Sequence, residues 1–248
     1  MTTQVNLFGE TEHRRYAVDV LPVSVLELGK TRTSNRETGE HNEKSSRDEY
    51  SGFPCEIGTL CYQLYLKDCQ MIFDPFAGWG ERGRLAKEHS LNYVGYDSNP
   101  EAIEVAKTRF GVDNTLEDSR IAFIPCFDGL ITCPPYWNLE SYSSEGLDAI
   151  ERWDDFLLGY ECVLSRCYDA AKTGAMFCIY VGDWRQFGVY YDLTFRTQRI
   201  MDDCGATPID VVIGSRSSVT KIKVMIPQAL ANGYTVKVHE TLLVFQKR

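Results

Sequence analysis

Two short stretches of this chain combine residue types that do chemistry with the spacing needed to use them. The first is Asp74-Pro75-Phe76-Ala77-Gly78-Trp79-Gly80, where an apolar strand pattern gives way to a helical one. Gly78 and Gly80 allow a sharp turn and a close backbone approach to a ligand, and the helix that follows offers unpaired N–H groups. Asp97 comes seventeen residues after Gly80, at the end of the next strand pattern, where a carboxylate can accept both hydroxyls of a ribose. Read literally, Gly78-x-Gly80-x-x-Gly83 also matches a dinucleotide fingerprint, so a nicotinamide cofactor and a merely structural turn remain alternatives. The acid at the strand end suits a ligand carrying an amino-acid end, such as S-adenosylmethionine. The second stretch is Ile131-Thr132-Cys133-Pro134-Pro135-Tyr136-Trp137, at the end of the fourth strand of the pattern. Two prolines remove two N–H groups and stiffen the chain, leaving carbonyls to point at a substrate. Tyr136 and Trp137 add faces on which a flat base can stack, a contact worth about 1–3 kcal/mol.

These stretches need a scaffold, and the hydrophobic pattern supplies one. Helices are expected over Pro54–Leu66, Arg82–His89, Pro100–Phe110, Ile150–Ala171 and Tyr191–Asp203. Strands are expected at Met71–Phe73, Asn92–Tyr96, Ile121–Ile124, Leu130–Thr132, Ala175–Val181, Ala206–Ile213 and Thr241–Phe245. Alternation on this scale predicts an α/β fold, a doubly wound and mostly parallel seven-stranded sheet with both motifs at its ligand-binding edge. The polar tract Gly29–Gly52 reads as a mobile loop, an inert linker or a lid that orders on DNA. The expected organisation is an N-terminal segment over 1–52 and one domain over 53–248, with a basic loop at about 214–237.

DPFAGWG paired with CPPYW resembles the amino-group (N6-adenine or N4-cytosine) DNA methyltransferases, whose signature is Asp/Asn/Ser-Pro-Pro-aromatic. More narrowly, ITCPPYWNLESYS is similar to the S-C-P-P-Y-x-x-L-E-x-Y-S motif of phage-type DNA modification methylases. The resemblance implies a Rossmann-like class I methyltransferase fold and S-adenosylmethionine as cofactor. Carried over position by position, Asp74, Pro75, Phe76, Ala77, Gly78 and Gly80 would line its methionine end, helped by Phe53 and Pro54. Asp97 would hold the ribose, Asp118 and Ser119 would approach the adenine, and Cys133, Pro134, Pro135 and Tyr136 would hold the target base.

An exocyclic amine conjugated to its ring is a poor nucleophile. Acceptors on its N–H groups push it toward a lone-pair-bearing geometry, and positioning then supplies most of the acceleration. The base must leave the duplex stack to arrive there, at a cost of a few kcal/mol. Cys133 departs from the broad signature; a thiol accepts hydrogen bonds weakly, which leaves the choice between adenine and cytosine open. A thiol attack on the ring, as in C5-cytosine methyltransferases, is disfavoured, because Pro125-Cys126 precedes the strand and no E-N-V or Q-x-R companion follows.

Composition bounds the rest. A 248-residue chain with 44% hydrophobic and 25% charged residues is an ordinary globular sequence, long enough for one large α/β domain. No apolar run nears the ~18 residues of a membrane span, and the start lacks an apolar signal core. A cytoplasmic protein of a bacterial or phage-infected cell is expected. Nine cysteines without a C-x-x-C pair predict neither a disulfide framework nor a metal site. The net charge is −9, yet from Val211 onward there are six Lys/Arg against one acid. Arg216, Lys221 and Lys223 in that stretch are candidate phosphate contacts. Asp183, beside Trp184, is a candidate for the base-pocket rim, with an ordinary turn as the alternative; His239, where the phage-type pattern also has a histidine, is a candidate substrate contact, with a structural histidine as the alternative. No separate recognition domain is left over, so a short or degenerate target, a homodimer or an accessory specificity partner is expected. The other functional readings are a same-fold enzyme acting on RNA or protein, and a catalytically silent DNA-binding accessory protein. Restriction avoidance as the biological purpose also stays open.

Overall fold

The computed structural model of the chain describes residues 22–28, 52–137, 146–215 and 220–248, with only the helical backbone over 220–224. The polar tract up to Ser51 and residues 138–145, which contain the end of the ITCPPYWNLESYS stretch, lie outside the described residues.

Ten strands run β1 (Val25–Glu27), β2 (Met71–Asp74), β3 (Asn92–Asp97), β4 (Thr115–Leu116), β5 (Phe127–Thr132), β6 (Ala171–Val181), β7 (Trp184–Gln186), β8 (Val189–Tyr191), β9 (Thr207–Ser215) and β10 (His239–Gln246). Eight of them form one sheet in the order β1-β9-β10-β6-β5-β2-β3-β4. Every neighbouring pair is parallel except those of β10, which lies antiparallel between β6 and β9. Six of the seven expected strands are in this sheet, and two short edge strands complete it: β4, beside β3, and β1, which is drawn from the leading segment and pairs with β9 through Leu26 and Gly214. β7 and β8 form a separate hairpin.

The helices are α1 (Cys55–Leu60), continued by a π-helical turn over Cys61–Tyr65, then α2 (Glu81–Glu88), α3 (Pro100–Phe110), α4 (Trp153–Ala170), α5 (Leu193–Asp203) and α6 (Thr220–Asn232). Local chemistry sets their ends. Asn99 Oδ1 accepts from the Glu101 N–H at 2.9 Å, Pro100 opens α3 without needing a donor, and Gly111 closes it at φ 61°.

Period-two alternation divides the core between the two faces of the sheet. Phe73, Phe127, Leu130, Phe177, Ile179, Leu243 and Phe245 point to the side covered by α4 and α5. Their neighbours Ile72, Ile131, Cys178, Tyr180, Leu242 and Val244 point to the side of Ile57, Leu60 and Leu85 from α1 and α2. Strands apolar on both faces read as continuous runs, which is why they stand out in the sequence.

Two expectations are corrected. Ile121–Ile124 is not a strand: a turn at Asp118 takes the N–H groups of Ile121 and Ala122, and Ile121 and Phe123 are 80% and 83% exposed. The edge position belongs to β4 instead, paired with Tyr96 and Asp97. The basic stretch after β9 is not a loop but carries α6, a helix that tolerates an internal proline, Pro227. The nine cysteines, all among the described residues, form no disulfide. Among the described residues no helix is long and apolar enough to cross a membrane.

Candidate active site

β2 lies between β3 and β5, so the chain winds outward from it in both directions, and the crevice opens beyond the carboxyl ends of these strands. At that point Gly78 and Gly80 take φ of 53° and 95°, a region that side-chain-bearing residues avoid. A Cβ on Gly80 would stand 2.7 Å from the Ala106 Cβ, so the turn needs glycine on packing grounds too.

Asp74 sits beneath the turn, fully buried. Oδ1 accepts from the Phe76 N–H at 3.1 Å and the Thr132 hydroxyl at 2.7 Å. Oδ2 accepts from Arg82 Nε at 2.6 Å and the Tyr93 hydroxyl at 2.8 Å. One carboxylate therefore fastens the end of β2 to the end of β5, binding the two motifs into a single unit. Arg82 also donates to the Phe76 carbonyl and lies over the Phe53 ring, 4.9 Å from its centroid.

Asp97 rises from β3 beside the turn. Its Oδ2 accepts from the Gly78 N–H at 2.7 Å and its Oδ1 from the Asn99 N–H at 2.9 Å. Burial raises its carboxyl above the ordinary range, and the two backbone donors only partly offset that. Ser119 donates to the Pro75 carbonyl at 2.9 Å. Asp118 forms a bidentate pair with Arg120; burial would raise its carboxyl, but those hydrogen bonds win and hold it below the ordinary range.

On the far wall, Tyr136 donates its hydroxyl to Glu240 Oε1 at 2.6 Å and meets the Trp184 ring edge-on at 5.4 Å. Burial, then the charge of Glu240, drives the Tyr136 hydroxyl far above the ordinary tyrosine range. It stays a neutral donor.

The result is a crevice of roughly 1050 Å³, open to solvent. Of the residues expected from sequence, it is lined by Phe53, Pro54, Pro75, Phe76, Gly78, Asp97, Asp118, Ser119, Cys133, Pro134, Pro135 and Tyr136. Asp74, Ala77 and Gly80 are beneath it, Ala77 by donating its N–H to the Tyr96 carbonyl at 2.8 Å. Trp137 is turned away: its indole donates to the Ile150 carbonyl at 2.6 Å and its ring packs against Trp153 and Tyr191. Asp183 is likewise engaged elsewhere, accepting from the Tyr190 hydroxyl and from the N–H of Thr194 at the start of α5. His239 is exposed at the start of β10. Arg216 lies outside the described residues, as do the side chains of Lys221 and Lys223 on α6. Sequence reasoning missed Arg82, Asp148, Tyr180 and Glu240, which also line the crevice. Glu240 had a visible signal: it follows His239, at the start of a strand that the pattern placed in the sheet.

No family model matches the chain. It is 33% identical over 60 residues to the type II methyltransferase M.HindIII of Haemophilus influenzae, and 30% identical over 66 residues to the type II methyltransferase M.Cfr9I of Citrobacter freundii. These stretches are 24% and 27% of this chain and 19% and 22% of those proteins, so the chain matches about a fifth of each relative's length. Among solved structures, TrmN from Thermus thermophilus matches with a TM-score of 0.55 at 12% identity, covering 81% of this chain and 51% of TrmN. The N-methyltransferase NodS from Bradyrhizobium japonicum matches with a TM-score of 0.54 at 14% identity, covering 78% of this chain and 95% of NodS. With its sheet order, its glycine turn at the switch point and these likenesses, the chain has the fold of the class I S-adenosylmethionine-dependent methyltransferases and a local similarity to two type II methyltransferases.

Proposed function

We propose that the chain transfers a methyl group from S-adenosylmethionine to the exocyclic amine of adenine (N6) or cytosine (N4) in DNA, taking the base flipped out of the duplex. The observation that carries this reading is the meeting of Gly78 and Asp97 with Pro134, Pro135 and Tyr136 around one crevice. The local similarity to two type II methyltransferases supports DNA as the substrate.

The donor set fits the cofactor. Glu81, Asp97, Glu117, Asp118, Asp148 and Glu240 line the crevice, against one guanidinium, Arg82, already paired with Asp74. Such a wall favours a ligand bearing an ammonium and a sulfonium. Phe53, Pro54, Pro75, Phe76 and Gly78 would hold its methionine end, Asp97 its ribose, and Asp118 and Ser119 would approach its adenine. When bound, S-adenosylmethionine supplies an electrophilic methyl group on a cationic sulfur.

The remaining work belongs to the protein's own groups. The Pro134 carbonyl accepts an amine N–H and so exposes the nitrogen lone pair, Cys133 offers a weaker second acceptor, and Tyr136 provides a face for the base. Alignment of the amine with the methyl group supplies most of the rate. In this reading 53–248 is the methyltransferase domain, and Arg216, Lys221, Lys223 and His239 are DNA contacts beside it.

The test offers tritium-labelled S-adenosylmethionine with DNA, RNA and protein in parallel. Label enters DNA, and Tyr136→Ala lowers incorporation about 5- to 150-fold, the equivalent of one lost stacking contact. Label in RNA or protein alone overturns the substrate assignment, and cofactor binding without transfer to any of them marks a silent DNA-binding protein.

A further inference from the structure

The β7–β8 hairpin grows from the same sheet edge as the crevice and has no part in either core cluster beyond its base. At that base Trp184 touches the Tyr136 ring, 5.4 Å between centroids, and stacks on Tyr191. Three residues further, roughly 10 Å at strand rise, Phe187 occupies the tip. The loop has two residues, Phe187 and Gly188, between the paired Gln186 and Val189, and both have positive φ, 50° and 82°. Two-residue hairpin loops of this hand take Asn, Asp or Gly at the first position. Here a bulky ring stands there, 95% exposed, serving neither the turn nor the core.

The flanks are cationic and aromatic in alternation. The Arg185 guanidinium lies 5.0 Å from the Tyr190 ring centroid and 4.6 Å from that of Tyr234, and Lys237 Nζ lies 4.9 Å from that of Tyr190. Among the described residues neither Arg185 nor Lys237 has a carboxylate within ion-pair distance. Asp183 accepts from the Tyr190 hydroxyl beneath them, so the two cations stand on a ring anchored at its far end, and cation-and-ring alternation is what a nucleic-acid strand binds.

We propose that the β7–β8 hairpin is a DNA wedge: Phe187 enters the duplex stack and fills the place of the target base as that base turns into the crevice, with Arg185 and Lys237 against the flanking phosphates. The inference rests on the DNA reading above and adds the element that opens the duplex.

Phe187→Asn tests it without endangering the hairpin, because Asn-Gly is the turn's favoured pair. Methylation is measured on duplex DNA and on the same duplex with the target base opposite an abasic site, where little opening is needed. In the variant the first falls about tenfold or more while the second stays within about twofold of the unsubstituted protein, because opening costs a few kcal/mol only in the intact duplex. A fluorescent 2-aminopurine at the target position loses its protein-induced rise with the variant. Equal activity of variant and parent on both duplexes overturns the wedge and leaves the DNA reading intact. An oligomer that Phe187→Asn dissociates, with both activities unchanged, overturns it in favour of a contact between copies of the chain. A parent protein that methylates no DNA overturns both.

Discussion

Asp74 holds four donors while contributing nothing to the crevice surface, so its removal is a structural experiment with a catalytic consequence. Asp74→Asn leaves Arg82 buried without its charge partner and is expected to cost about 3–5 kcal/mol in denaturant unfolding; a change below about 1 kcal/mol would contradict the role given to it. Asp97 makes the opposite case, a buried carboxylate that the proposed function assigns to the cofactor's ribose. Burial raises its pKa above the ordinary range, and the form that would accept ribose hydroxyls is the ionised one. Affinity for S-adenosylhomocysteine is therefore lost as pH falls through that raised value, at a higher pH than an exposed aspartate near ~3.9 would require. Calorimetric titration across pH checks this, and Asp97→Asn flattens the profile and weakens binding roughly 10- to 100-fold. In the proposed reading Glu240, which accepts from the Tyr136 hydroxyl, acts through it as a positioning residue. Glu240→Ala lowers kcat up to about 100-fold with KM for DNA nearly unchanged, and Glu240→Gln, which keeps an acceptor, restores most of it. The place of Asp97 beside the glycine turn was legible, because an acid at the end of the next strand pattern is a local signal. Glu240 and Arg82 were not, since what gives them a role is a partner 104 residues away for one and 8 for the other, and only the sheet order brings the first pair together.

At the scale of elements, the α2 turn depends on a backbone shape that only glycine takes cheaply. Gly80→Ala forces a Cβ onto Ala106 at φ 95° and should cost about 1–3 kcal/mol, read as a lowered Tm. Elements with a strong local cause were legible. α3 runs from Pro100 to Phe110 as its Asn-Pro start and Gly111 stop predict, and β2, β5 and β6 announce themselves as runs apolar on both faces. Others lacked such a cause. Ile121 and Phe123 look like a strand in an apolar tally, yet the Asp118 turn points both outward. β1 has three residues and depends on β9 for its pairing, so nothing local marks it. The β7–β8 hairpin hides because Phe-Gly is not a usual turn pair, and α6 because Pro227 and the basic charges read as loop.

Across the whole molecule, charge separates an acidic body from a basic end. In the proposed reading the cations offered to phosphates are Arg185, Lys237, Arg216, Lys221 and Lys223, whereas Lys247 sits at the other end of β10 and donates to the carbonyls of Tyr168, Asp169 and Ala171. The logarithm of DNA affinity should therefore fall with the logarithm of salt concentration at a slope no steeper than about −5; a steeper slope would place further contacts elsewhere. In the proposed reading the target is short or degenerate, and a footprint of six or more base pairs on the monomer would contradict that. The most direct measurement of the central claim is to incubate the protein with S-adenosylmethionine and unmethylated DNA, digest the DNA to nucleosides and weigh them by mass spectrometry. N6-methyladenine or N4-methylcytosine is the predicted product, and it would name the base that Cys133 and Pro134 hold. A product methylated on ring carbon, or none from protein that binds the cofactor, would contradict direct transfer to a DNA amine.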